Sequence, residues 1–105
     1  MTEPSFTFLP AAPPANIPAD AIVSQTSANN DAFKATLFSF AKDQELTEHA
    51  TPRDAMLFFL HGEFEVITGG EQFTATPGAW LHLPPSLPHS LRALSPGQFL
   101  LIILK

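Results

Sequence analysis

Apolar and polar residues alternate along most of the chain from residue 21 onward, and this two-residue period predicts β-strands. The run FKATLFSF at 33–40 combines β-branched and aromatic residues over the length of one strand. Turn-forming residues divide the rest, and no segment shows a helical period. Further strands are predicted around 45–49, 55–60, 79–83, 89–94 and 98–104. About eight short strands at this spacing predict an all-β sandwich or jelly roll.

The clearest hairpin is EFEVITGGEQFTA, residues 63–75. Its two central glycines form a two-residue turn that accepts positive φ at both positions. Pairing across this turn places Phe64 opposite Ala75 and Val66 opposite Phe73, all on one face. The two glutamates of the first strand then point to the other face. One apolar and one polar face are typical of an antiparallel sheet in a sandwich or barrel.

Residues 1–20 carry five of the eleven prolines and are expected to form an extended arm on the surface or on a partner subunit. A single barrel domain is predicted for 21–105. The apolar run FLLIIL at 99–104 would promote aggregation at an exposed sheet edge, so we expect it to be paired or covered. Coverage by a second subunit, through the arm or a sheet face, would make a homodimer.

Charge and composition exclude several classes of partner. The formal net charge is −5, and the five basic residues are dispersed, so neither nucleic acid nor an anionic membrane surface is expected to bind. There is no cysteine, which rules out disulfides, a thiolate nucleophile and Cys-based metal sites. The N-terminus lacks the pattern of a signal peptide, and no apolar run is long enough for a membrane helix. A cytoplasmic protein is the resulting expectation.

Four histidines are the most informative polar residues, at 49, 61, 82 and 89. His61 lies twelve residues beyond His49, roughly 20 Å along the next strand, which is too far for a shared site. It is expected at the surface or an interface. In AWLHL the aliphatic residues alternate with Trp80 and His82. Trp80 and His82 are therefore expected to point outward, at the surface or a subunit interface.

Two segments resemble the motifs of the cupin superfamily. GAWLHLPPSLPH at 78–89 is similar to the second motif, with glycine, proline and histidine at the family spacing. Ser86 and Ala93 stand where the family has glycine and asparagine. ELTEHATPRDAMLFFLHGEFEV at 45–66 is similar to the first motif. The resemblance covers about 33–104 and implies an RmlC-like jelly roll, a double-stranded β-helix barrel.

In cupins the first motif supplies two histidines and a glutamate as metal ligands, and the second motif one histidine. The resemblance places Thr47 and His49 at the first two positions and His89 at the last. Counting forward from His49 puts Asp54 at the glutamate position, whereas counting back from the motif's glycine puts Ala55 there. Strand alternation favours Ala55, and a bulge would be needed to turn Asp54 inward.

Two imidazoles are fewer ligands than catalytic metal sites use, since zinc sites have three protein ligands and iron oxygenase sites add a carboxylate. A metal held by His49 and His89 would need a third donor, from Asp54, His82, Thr47 or the bound ligand. The metal implied is one divalent transition ion: zinc, nickel, manganese or iron. Metal-free pocket residues and an inert structural pair are the alternatives.

The predicted function is the binding of a small molecule in the barrel interior, around His49 and His89. The alternative is a mononuclear metal-dependent enzyme of dioxygenase, isomerase or decarboxylase type with a reduced ligand set, so whether turnover occurs stays open. A sensor or assembly module is a third possibility. Small cupins resembling this chain are often dimeric, which agrees with the expected homodimer. The predicted pocket lining consists of Thr47, Ala55, Leu57, Phe59 and Leu91.

Overall fold

The computed structural model describes residues 4–10 and 17–105. Over these residues the chain forms nine strands and no helix. Among them there is accordingly no helix long and apolar enough to span a membrane. The strands are β1 (Ile22–Asn29), β2 (Phe33–Phe40), β3 (Glu45–His49), β4 (Ala55–His61), β5 (Phe64–Thr68), β6 (Glu71–Ala75), β7 (Trp80–Leu83), β8 (His89–Ala93) and β9 (Gly97–Leu104).

The strands form two antiparallel sheets. The five-stranded sheet has the order β1-β2-β9-β4-β7, and the four-stranded sheet has the order β3-β8-β5-β6. Consecutive strands thus cross repeatedly from one sheet to the other, as in a jelly roll. The predicted all-β jelly-roll fold is confirmed.

Strand β9 holds the five-stranded sheet together. It pairs with β2 along its whole length, from Phe33 opposite Leu104 to Phe40 opposite Gly97. On its other side it pairs with β4, where Phe59 lies opposite Phe99. The apolar C-terminal run is therefore a central strand and not an edge, as its composition indicates.

The glycine hairpin forms as predicted. Phe64 lies opposite Ala75 and Val66 opposite Phe73. Gly69 and Gly70 have φ of 60° and 77°, the two positive values that such a tight turn requires. Three of the four paired residues are buried on the inner face, while Phe73 is 38% exposed near the turn.

Phenylalanine rings fill the space between the sheets. Phe40, Phe59, Phe64 and Phe99 are each at most 1% exposed, and their ring centroids are 5.4–5.8 Å apart for every pair in contact. Burying one such side chain contributes roughly 1.5–3 kcal/mol. These phenylalanine side chains thus form a packed aromatic core.

One strand of the structure is absent from the sequence prediction. Strand β1 was not predicted as a separate element, because most of its residues are polar and it lies at the sheet edge.

Of the predicted arm, residues 4–10 and 17–20 are described, whereas 1–3 and 11–16 lie outside the described residues. The described part at 4–10 is exposed and belongs to no strand. The division into an arm and a domain stays a prediction.

Candidate functional site

His49 and His89 meet at one end of the four-stranded sheet. They are opposite each other in the pairing of β3 with β8, and their ring centroids are 4.2 Å apart at an interplanar angle of 60°. His89 is 7% exposed, whereas His49 is exposed. The structure therefore brings together the two histidines that the sequence analysis placed in one site.

An irregularity in β3 makes this meeting possible. Leu46 pairs with Leu91, but the next pair is His49 with His89, so β3 has one residue more than β8 between the two pairs. This extra residue is a β-bulge, which reverses the alternation of the strand. Without the bulge, His49 would face away from the side on which Leu46 packs against the core.

Backbone carbonyls determine the tautomer of both imidazoles. The Nδ1 atom of His49 lies 2.9 Å from the Thr47 carbonyl oxygen, and that of His89 lies 3.0 Å from the Leu87 carbonyl oxygen. A carbonyl oxygen only accepts, so each Nδ1 carries a hydrogen that it donates. In the neutral ring the lone pair is then on Nε2, which is the atom available to a ligand or a metal ion.

Burial keeps His89 neutral at physiological pH. Loss of solvation lowers its pKa below the usual value, and the neighbouring His49 lowers the pKa further because two positive rings would repel each other. The hydrogen bond to the Leu87 carbonyl opposes this, since it stabilises the charged ring. His89 thus presents an acceptor at its Nε2 atom near pH 7.

Two hydrogen bonds hold the proline-rich loop that precedes His89. The backbone N–H of Ser86 donates to the Thr51 carbonyl at 2.7 Å, and the Thr68 hydroxyl donates to the Pro88 carbonyl at 3.0 Å. Ser86 has φ of 67°, a left-handed conformation that favours glycine. This is the position where the resemblance expects glycine, so the serine keeps the backbone shape of the motif.

Asp54 and His82, the proposed third donors, lie elsewhere. They pair with each other, with Asp54 Oδ1 2.8 Å from His82 Nε2. Ala55, next to Asp54, is 2% exposed and faces the core, so Asp54 points to the other side of β4. Trp80 stacks on His82 with 6.3 Å between ring centroids, and it is 57% exposed. Within the described parts of the chain, no group of three histidine, aspartate or glutamate side chains could hold a metal ion.

The predicted pocket lining divides between core and surface. Thr47 is exposed beside His49, and its carbonyl orients that ring. The other four belong to the buried core cluster: Ala55, Leu57, Phe59 and Leu91. The site therefore lies at the rim of the barrel, above a packed interior.

Neither of two surface cavities is lined by His49 or His89, although one of them is lined by their chain neighbours Glu48 and Pro88. A cavity of about 540 Å³ lies outside the four-stranded sheet, against the glycine turn and Pro88. A groove of about 380 Å³ lies outside the five-stranded sheet, where His61 is one of its walls. The sequence analysis did not find this groove, although the continuous apolar runs of β4 and β9 indicate strands covered on both faces.

Comparison with known proteins agrees with this architecture. A cupin superfamily protein from Desulfitobacterium hafniense matches with a TM-score of 0.81 and 22% identity, over 86% of this chain and 83% of its own. An RmlC-like cupin from Shewanella frigidimarina matches with a TM-score of 0.76 and 23% identity, over 79% and 75%.

A higher identity is found with a conserved protein of unknown function from Streptococcus pyogenes. It is 32% identical with a TM-score of 0.75, over 82% of this chain and 75% of its own. Among proteins with curated functions, none matches. The family model described as the cupin domain matches residues 36–103, which is more than half of the chain. The chain therefore belongs to the cupin superfamily.

Proposed function

We propose that the chain binds a small molecule at the barrel rim, with His49 and His89 contacting its polar group. The observation that carries this proposal is the pair of adjacent imidazoles whose Nδ1 atoms are both bonded to backbone carbonyls. Such bonds orient the rings and leave both Nε2 atoms for a ligand.

The protonation state of His89 favours a particular ligand chemistry. Because the pKa of His89 is lowered, its Nε2 accepts a hydrogen bond near neutral pH. A hydroxyl or an amino group donates such a bond. Two adjacent acceptors suit a ligand with two neighbouring hydroxyls, as sugars and sugar acids have. The apolar residues Leu46 and Leu87, which pack against the core near the pair, suit the ligand's carbon skeleton.

A resident catalytic metal fits these residues less well. The two Nε2 atoms are good ligands for zinc, nickel, manganese or iron, but catalytic sites of these metals add a third protein donor. Thr47 and Ala55 stand where the family resemblance expects histidine and glutamate, and Asp54 is paired with His82. The metal-dependent enzyme is therefore the second candidate, in which the ligand itself would complete the coordination.

Isothermal titration calorimetry with a panel of diols, sugars, sugar acids and small aromatic acids tests the first candidate. We expect at least one compound to bind the wild type and to lose at least about tenfold in affinity in both His49→Gln and His89→Gln, a loss of about 1.4 kcal/mol for one hydrogen bond. His82→Gln is the matched control, because it removes an imidazole outside the site and should bind normally.

Elemental analysis of protein purified without a histidine tag separates the two candidates. If the wild type contains near one equivalent of a transition metal and both His49→Gln and His89→Gln lose it, the metal-dependent enzyme is favoured over metal-free binding. Binding that is unchanged in both variants would place the ligand site elsewhere and contradict the proposal.

A further inference from the structure

Three polar residues lie side by side across the five-stranded sheet. Ser39 of β2 is opposite Gln98 of β9, and Gln98 is opposite His61 of β4. Phe99, the next residue of β9, is 1% exposed and faces the core, so Gln98 points to the outer side of the sheet. Gln98 is nevertheless only 4% exposed. Burying an amide on an outer face is costly, so this position needs a physical reason.

Gln98 and His61 lie in the groove of about 380 Å³ outside this sheet. A register shift in β4 between Phe59 and His61 adds one residue, Leu60, so both Leu60 and His61 reach the groove. The rest of the lining is apolar and consists of Leu9, Pro10, Leu37 and Leu100. An apolar cavity of about 300–1,000 Å³ with a few polar groups is typical of small-molecule sites.

Two hydrogen-bond donors of this groove have no partner among the described residues. Gln98 Nε2 lies 3.3 Å from Ser39 Oγ, which is the one hydrogen bond of the Gln98 side chain within the described chain. An amide has two N–H groups, so one remains. The rings of the other three histidines are hydrogen bonded within the described chain, whereas that of His61 is not. A neutral imidazole carries one N–H, so His61 offers the second donor.

We propose that this groove is a second small-molecule site, separate from the barrel rim, and that it takes a monocarboxylic acid with a hydrocarbon body. A carboxylate only accepts hydrogen bonds, and the N–H groups of His61 and Gln98 donate to it. Among the described residues that line the groove none is acidic, so the lining adds no repulsion to a negative charge. The hydrocarbon body packs on the leucine side chains, where its removal from water is favourable.

Isothermal titration calorimetry with octanoate tests the proposal. We expect one octanoate per chain, with a dissociation constant below about 1 mM. Octylamine has a similar hydrocarbon chain but a positive head that only donates, so it should bind at least about tenfold more weakly. Equal binding of the two compounds would contradict recognition of a carboxylate. No binding up to about 20 mM octanoate, as expected if another protein surface fills the groove, would overturn the proposal.

Two variants remove the donors and keep most of the side-chain volume. His61→Phe and Gln98→Met should each weaken octanoate binding at least about tenfold. His61 is half-buried, so His61→Phe keeps the test valid even if Gln98→Met impairs folding. His82→Phe is the matched control, because His82 lies on the same sheet but does not line the groove. Binding that His82→Phe weakens as much as His61→Phe does would place the site elsewhere.

Octanoate binding should be the same in His49→Gln and His89→Gln as in the wild type, which separates this site from the one at the barrel rim. A loss in either variant would move octanoate to the rim and overturn the proposal.

Nuclear magnetic resonance of ¹⁵N-labelled protein locates the bound octanoate directly. The side-chain N–H signals of Gln98 should shift on addition of octanoate, whereas those of Gln72, an exposed residue of β6, should not. Unchanged Gln98 signals at saturating octanoate would show that the carboxylate binds outside the groove.

Discussion

Replacement of Gly62 by alanine should destabilise the fold much more than the same change at Gly70. Both glycines have positive φ, 72° and 77°, so both alanines incur about 1–2 kcal/mol of left-handed strain. The lower entropy of alanine in the unfolded chain returns about 0.4–1 kcal/mol in both cases. The net cost at Gly70, where an added Cβ meets nothing within 4 Å, is thus about 0.5–1 kcal/mol.

At Gly62 a steric cost is added. An alanine Cβ would lie 2.3 Å from the Pro96 carbonyl oxygen and 2.7 Å from Gly97 Cα, so the backbone would have to move by roughly 1 Å to reach normal contact. Gly97 is itself closely packed, since a Cβ added there would lie only 2.6 Å from the Phe64 ring, and this leaves the backbone little room to shift. Overpacking of this kind costs about 1–3 kcal/mol, so Gly62→Ala should lose about 1.5–4 kcal/mol in total.

Urea unfolding followed by circular dichroism measures both variants. The protein concentration is the same for the wild type and both variants, so that any self-association affects all three equally. If the two variants lost the same stability within about 0.5 kcal/mol, the close approach of Gly62 to Pro96 would not limit the fold, and the reasoning would fail.

Two further predictions concern the site. The pKa of His89 is lowered in the folded chain, so below the unfolded value near 6.5 the unfolded chain binds more protons and stability falls, by at most about 1.4 kcal/mol per pH unit. The variant His89→Asn keeps an N–H for the Leu87 carbonyl but has no imidazole to titrate. Its free energy of unfolding in urea should therefore fall less than the wild type's between about pH 7.5 and about pH 5. Equal dependence of the two unfolding free energies on pH would contradict this. Ser86→Gly should raise the free energy of unfolding by about 0.5–1 kcal/mol in urea melts, because it relieves a φ of 67° while keeping the bond to Thr51; a loss would show that the serine side chain is needed.

Most of the fold follows from the sequence because alternation and turn chemistry are local. A period of two and the type of turn are enough to predict the glycine hairpin, the register of Phe64 with Ala75 and the inward face of β4. Strand β1 was missed because IVSQTSAN lacks a buried face of its own. Its pairing comes from the backbone of β2 and not from side-chain pattern.

The candidate site was only partly accessible to sequence reasoning. The meeting of His49 with His89 depends on a bulge in β3, and a bulge leaves no periodic signal. The spacing of the first motif left Asp54 and Ala55 as alternatives; in the structure Ala55 is buried, whereas Asp54 pairs with His82. The roles of His49 and His89, the metal content and the cytoplasmic location stay predictions.

The position of β9 has a consequence for the order of folding. β9 follows the other eight strands along the chain, yet it lies between β2 and β4 in the sheet. Until β9 is synthesised, the sheet consists of two unconnected halves, β1–β2 and β4–β7, each with an open inner edge. Such non-local pairing is slow, and the open edges can recruit strands of other molecules. During synthesis the chain is thus most exposed to aggregation just before its most apolar strand appears, and a truncation before residue 97 would leave two open edges within one sheet.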